Sequence, residues 1–131
     1  MFYIKTTIGG NTISATIHSP IVQLISSDSG TGKSLYADLL VRACNYERKV
    51  GLLVNYATLW HAEDIVSNSC ENGIIIFDNI EQYLDRLSMW LPEVKGTALL
   101  IGRSDVPKMQ DLPKACLRLT AYTASLREMG K

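Results

Sequence analysis

Short, almost wholly apolar runs constrain this chain more than any other feature: Ile21-Val22-Gln23-Leu24-Ile25, Gly73-Ile74-Ile75-Ile76-Phe77 and Thr97-Ala98-Leu99-Leu100-Ile101. A strand that shows one face to water alternates apolar and polar residues. A run that is apolar throughout must be covered on both faces, as in a parallel sheet flanked by helices. The intervening segments supply the cover. Leu35 to Cys44 carries Leu35, Leu39, Leu40 and Ala43 at helical spacing, and Ile80 to Leu91 carries Ile80, Tyr83, Leu84, Leu87 and Leu91 before Pro92 ends it. Ala57 to Cys70 is a weaker helical segment, Val50 to Val54 reads as a further strand, and Cys116 to Thr120 as a fifth core strand. The alternation predicts an α/β fold whose mainly parallel sheet has five strands. Ahead of it, Phe2, Ile4, Ile13, Ala15 and Ile17 alternate around Gly9-Gly10-Asn11, which predicts a β-hairpin over residues 1–20. The expected organisation is a single domain over 1–131, with the α/β core at 21–120.

Composition removes several function classes. Lys plus Arg and Asp plus Glu each total 13 in 131 residues, so the formal charge is zero. The usual electrostatic footprint of a nucleic-acid binder is missing, and direct nucleic-acid binding is not indicated, although a local basic patch is compatible with the count. Cys44, Cys70 and Cys116 form no CxxC pair, which supports neither a disulfide framework nor a zinc site and points to a reducing compartment. No apolar stretch approaches the ~18–20 residues that span a bilayer. Met1-Phe2-Tyr3-Ile4-Lys5 lacks the basic start and apolar run of a secretory signal. The expectation is a cytoplasmic protein without a membrane partner.

The chemistry is concentrated at Ser27-Asp28-Ser29-Gly30-Thr31-Gly32-Lys33-Ser34, between the first core strand and the first helix. Glycines at 30 and 32 let the backbone turn sharply and aim successive amides into one concavity. The helix N-terminus adds unpaired N–H donors and partial positive charge. This segment resembles the Walker A loop of P-loop NTPases, in the Gly-Thr-Gly-Lys-Ser form of AAA-type and related ATPases. The resemblance implies that Ser29, Gly30, Thr31, Gly32, Lys33, Ser34 and Leu35 hold ATP phosphates, with Lys33 acting on the β- and γ-phosphates and Ser34 on Mg²⁺. The first glycine of the pattern is Ser27 here, a departure that costs ~1–2 kcal/mol if the position requires a left-handed backbone.

Ile74-Ile75-Ile76-Phe77-Asp78 resembles the Walker B strand of the same proteins, and Asp78 is then the second Mg²⁺ ligand. Related ATPases of the additional-strand (ASCE) division carry Glu next, as the residue that polarises the attacking water. This chain has Asn79, whose amide can orient water but cannot accept its proton. Glu81, two residues on, is the substitute candidate. After Thr97–Ile101, Arg103 and Ser104 are candidates for the γ-phosphate sensor of that division, with Arg103 favoured for its charge. The resemblance also implies a three-layer fold in which the Thr97–Ile101 strand lies between the phosphate-loop strand and the Asp78 strand.

No helical lid follows the last core strand, because only Ala121 to Lys131 remain. The implied function is an ATP-binding protein with weak or partner-dependent ATPase activity, acting as a switch or accessory subunit with a protein partner or a second copy of itself. The alternative is a non-hydrolysing interaction module with a vestigial nucleotide site. A small-molecule kinase ranks third, since 103–114 is short for a substrate segment. Tyr56 and Trp60 read as edge cover, and His61 beside Glu63 and Asp64 as a solvated helix face.

Overall fold

A computed structural model describes residues 1–25, 32–103 and 111–129. Ser29, Gly30 and Thr31 of the phosphate-loop reading, with Ser27 and Ser104, lie outside the described residues.

The chain opens with β1 (Phe2–Ile8) and β2 (Asn11–Ile17), paired antiparallel from Phe2 opposite Ile17 to Ile8 opposite Asn11. Gly9 and Gly10 form the two-residue turn, both at positive φ (58° and 84°), which a type I′ hairpin requires. Next come β3 (Ile21–Ile25), helix α1 (Lys33–Tyr46) and β4 (Gly51–Val54). A 3₁₀ segment (Tyr56–His61) leads into α2 (Ala62–Ser67), β5 (Ile74–Phe77) and a 3₁₀ turn (Ile80–Gln82). Helix α3 (Leu84–Trp90), β6 (Thr97–Gly102), β7 (Ala115–Leu119) and β8 (Thr123–Glu128) complete the described elements.

The strands form two four-stranded sheets. One is wholly parallel in the order β3-β6-β5-β4, so β6 does lie between the phosphate-loop strand and the Asp78 strand. The other is mixed, in the order β1-β2-β8-β7, with β2 and β8 parallel. Two of the apolar runs, β5 and β6, occupy the middle of the parallel sheet and the third, β3, lies at an edge; both faces of these strands are covered. Val22, Leu24, Ile74, Ile76, Leu99 and Ile101 pack toward α1, whose opposite side meets Phe2, Ile4, Ile13, Ala15, Ile17 and Leu126 of the mixed sheet. Ile75, Phe77, Ala98 and Leu100 face Val66, Ile80, Tyr83, Leu87 and Trp90. No helix of the described residues is long and apolar enough to cross a membrane.

This arrangement corrects the expected fold. There is no three-layer core with a five-stranded parallel sheet and an appended hairpin. The parallel sheet has four strands, and the hairpin belongs to a second sheet that adds a layer over α1. Among the described residues the expected fifth strand does not pair with β3; the chain just before it bonds to β3 at Gln23. Gln23 N–H donates to Pro113 O at 2.8 Å, Gln23 Nε2 donates to Leu112 O at 3.0 Å, and Gln23 bridges Lys114. From there β7 pairs with β8 instead. Its residues explain the switch: Ala115 and Leu117 turn inward while Cys116 and Arg118 are exposed, the alternation of a strand with one wet face. After it comes β8, a strand that was not expected, with the same alternation. Helices α2 and α3 are also shorter than the segments 57–70 and 80–91 in which they were expected, since both segments begin as 3₁₀ turns.

Glu128 pins the end of β8 to the β2–β3 corner. Its carboxylate accepts from His18 N–H at 2.6 Å and Ser19 N–H at 2.9 Å, and from the Ser19 hydroxyl. Burial opposes ionisation, but the bonds from Ser19 and His18 outweigh it and hold the carboxyl below its ordinary value. A depressed carboxyl contributes stability that is present above the unfolded pKa and lost as pH falls through the folded one. Thermal melts of wild type should therefore lose this contribution below about pH 4.3. Glu128→Gln should be less stable at neutral pH and lose less on acidification; parallel acid profiles would contradict the assignment.

Candidate functional site

Helix α1 begins at Gly32, whose backbone is left-handed (φ 84°, ψ 14°) and whose carbonyl accepts from Tyr36 N–H at 2.8 Å. Helix geometry leaves the amides of Lys33, Ser34 and Leu35 without an intrahelical acceptor. Among the described residues the first turn of α1 has no acidic residue of its own and no side-chain cap. A Cβ on Gly32 would press on the end of the Leu119 side chain of β7, which is exposed and can turn aside. The left-handed backbone is what favours glycine here.

Asp78 follows β5 at the carboxyl edge of the parallel sheet, the edge from which β3 also leads toward α1. There the two segments meet: Ser34 Oγ donates to Asp78 Oδ2 at 2.7 Å, across 44 positions of sequence. The other carboxylate oxygen, Oδ1, accepts from Asn79 N–H at 2.9 Å. Asn79 reaches that position through a left-handed backbone (φ 56°, ψ 44°), which Asn tolerates better than most residues. Beneath them the Tyr83 hydroxyl donates to the Asp78 carbonyl, with Val54 O 3.4 Å away, and so ties the ends of β4 and β5 together. Burial, then the Asp78 and Glu81 carboxylates nearby, push the Tyr83 phenol well above its ordinary pKa, which keeps it a neutral donor.

Glu81 lies one turn beyond Asn79, half-buried. Its Oε2 is buried with no hydrogen-bond partner among the described residues. A Cβ on Gly102, at the tip of β6, would sit 2.6 Å from Ile80 Cγ1 and 3.4 Å from Glu81 Oε2. Glycine there lets the 80–81 turn settle onto the strand tip. Arg103, exposed, follows directly. Lys33 is half-buried at the start of α1, whereas Leu35 is 61% exposed. The geometry thus joins Ser34, Asp78 and the Asn79 amide by hydrogen bonds and seats Glu81 against the neighbouring strand tip.

The donor set of one carboxylate and one hydroxyl suits Mg²⁺, which is usually held by one or two protein oxygens together with phosphates and water. Among the described residues no three His, Cys, Asp or Glu side chains gather into a metal cluster of their own. The remaining candidates resolve simply. Asn55 caps the 3₁₀ segment through Ala57 N–H and Thr58 N–H, while Tyr56 and Trp60 are exposed and Trp60 lies against the His61 ring. Two participants escaped the sequence reading: Tyr83 counted only as part of a core stripe, and Leu119 only as strand. Compared with known proteins, the chain matches no family model and no curated protein.

Tyr83→Phe should leave the Asp78 carbonyl without its buried donor. We expect a loss of roughly 1–3 kcal/mol in urea unfolding with the fold retained. Unchanged stability would show that this bond does not hold the strand end.

Proposed function

We propose that this protein binds Mg-ATP at the carboxyl edge of its parallel sheet and hydrolyses it slowly. The observation that carries the reading is the Ser34–Asp78 hydrogen bond, which joins the phosphate-loop helix to the end of the apolar β5 strand. Two sequence motifs that resemble the halves of one nucleotide site are adjacent in space, although nothing in their spacing requires it.

The amides of 30–35 and the Lys33 ammonium would receive the phosphates, with the α1 dipole favouring their charge. Mg²⁺, when bound with the nucleotide, would neutralise phosphate charge, and Ser34 Oγ and Asp78 are the oxygens that would hold it. Asn79 contributes through its backbone N–H, which holds Asp78 Oδ1 and so fixes the direction of the carboxylate. For hydrolysis we assign Glu81 as the general base, because its Oε2 has no partner among the described residues and Asn79 cannot take a proton. Arg103, at the tip of β6, is the cation assigned to the γ-phosphate. A role as a switch or accessory subunit fits slow turnover, because the nucleotide state would then persist long enough to be read by a partner.

Isothermal titration with Mg-ATP should give measurable binding in wild type and a loss of at least about tenfold in Lys33→Ala. Glu81→Gln should retain binding and lower the single-turnover hydrolysis rate by about 10²-fold, the lower end of what a positioned base contributes. Identical titrations of wild type and Lys33→Ala would refute the nucleotide site. Binding without hydrolysis in either Glu81 form would refute the base and favour the non-hydrolysing module.

A further inference from the structure

The outer face of the mixed sheet is unexplained by the nucleotide site. Its inward residues pack on α1, but its outward residues form cross-strand rows that face away from the core. One row runs Lys5, Ser14, Ser125, Arg118, and the next runs Tyr3, Thr16, Arg127, Cys116. Thr7, Thr12 and Thr123 form a third. Lys5, Arg118 and Arg127 are exposed, and Tyr3 is 50% exposed.

Charge on this chain is segregated although its sum is zero. The four strands of this sheet carry Lys5, Arg118 and Arg127 and a single carboxylate, Glu128. Glu128 is occupied by the His18–Ser19 corner, and every other Asp and Glu lies outside these strands. Arg118 and Arg127 stand on neighbouring strands in diagonal register, a placement that puts them roughly 7–8 Å apart. With Ser125, Cys116, Glu128 and Met129 they line a hollow of about 440 Å³. Lys5 lies three strands away, about 14 Å across the sheet.

We infer that this face binds single-stranded nucleic acid through its phosphate backbone. The guanidinium forks of Arg118 and Arg127 match phosphate oxygens, Lys5 extends the track, and the Ser and Thr hydroxyls between them are further donors. Tyr3 offers an aromatic face on which a base can stack. Among the described residues no helix stands proud of this face, so it suits an extended strand with splayed bases better than the grooves of a duplex.

The test is fluorescence anisotropy of a labelled oligothymidylate with the full chain, in the absence of nucleotide. Wild type should bind at about 50 mM salt, with log K falling against log salt at a slope of about −2, the value for three neutralised phosphates on a single strand. The double variant Arg118→Glu/Arg127→Glu should weaken binding by at least about tenfold, and Arg118→Lys/Arg127→Lys should retain most of it. Lys95→Glu, which removes a cation elsewhere, should change nothing. Circular dichroism of each variant checks the fold. No wild-type binding, an unchanged double reversal, or equal competition by polyglutamate of the same length would overturn the inference; the last would mark the face as a site for acidic protein segments. Lys33→Ala should bind the oligonucleotide like wild type, so failure here and failure of the ATP site are read separately.

Discussion

Helix α1 is held from two sides, and the geometry of the candidate site follows from that grip. Leu40, Ala43 and Cys44 are buried, and Tyr36 reaches across to donate to the Ser14 carbonyl of β2. Burial raises the Tyr36 pKa, so its hydroxyl stays a neutral donor. Burial likewise pushes the Cys44 thiol up to about 11, so it behaves as a small apolar side chain. A leucine such as Leu40 stabilises by roughly 1.5–3 kcal/mol when fully buried. That far exceeds the differences in helix propensity along α1, so packing rather than local preference fixes the axis of the helix. With the axis fixed between two sheets, the first turn has one place to go. It ends beside Asp78.

What converges there is a small set of oxygens and amides with distinct jobs. Ser34 and the Asn79 amide occupy the two oxygens of one carboxylate, and Tyr83 holds the backbone beneath it. An arrangement in which each partner is fixed by another needs little reorganisation when a charged ligand arrives, which is where electrostatic sites derive their strength. Glu81 is the exception, with a buried oxygen that has no partner among the described residues.

Much of the parallel sheet was legible because its strands are almost wholly apolar. Ile74 to Phe77 could not face water on either side, and Ser34 and Asp78 could be paired as ligands on motif resemblance alone. The second sheet was not legible, because a half-exposed strand such as Cys116-Leu117-Arg118-Leu119 specifies one wet face but not which sheet it joins. The contacts at Gln23 are where the chain makes that choice, through bonds to the carbonyls of Leu112 and Pro113 that no side-chain pattern announces. Glu81 was difficult for a related reason. Its direction depends on the left-handed backbone of Asn79, and only the tertiary setting selects that conformation. The cations of the outer face were hidden by a neutral total, since summation discards position.

The central claim is that the Ser34–Asp78 contact marks where phosphate and Mg²⁺ are received. Backbone amide NMR of the ¹⁵N-labelled chain, titrated with Mg-ATP, tests it most directly. The account predicts that the largest shifts fall on Gly32 to Leu35, on Asp78 to Glu81 and on Gly102–Arg103, with the mixed sheet little changed. Shifts confined to other residues, or a spectrum that Mg-ATP leaves unmoved, would contradict it.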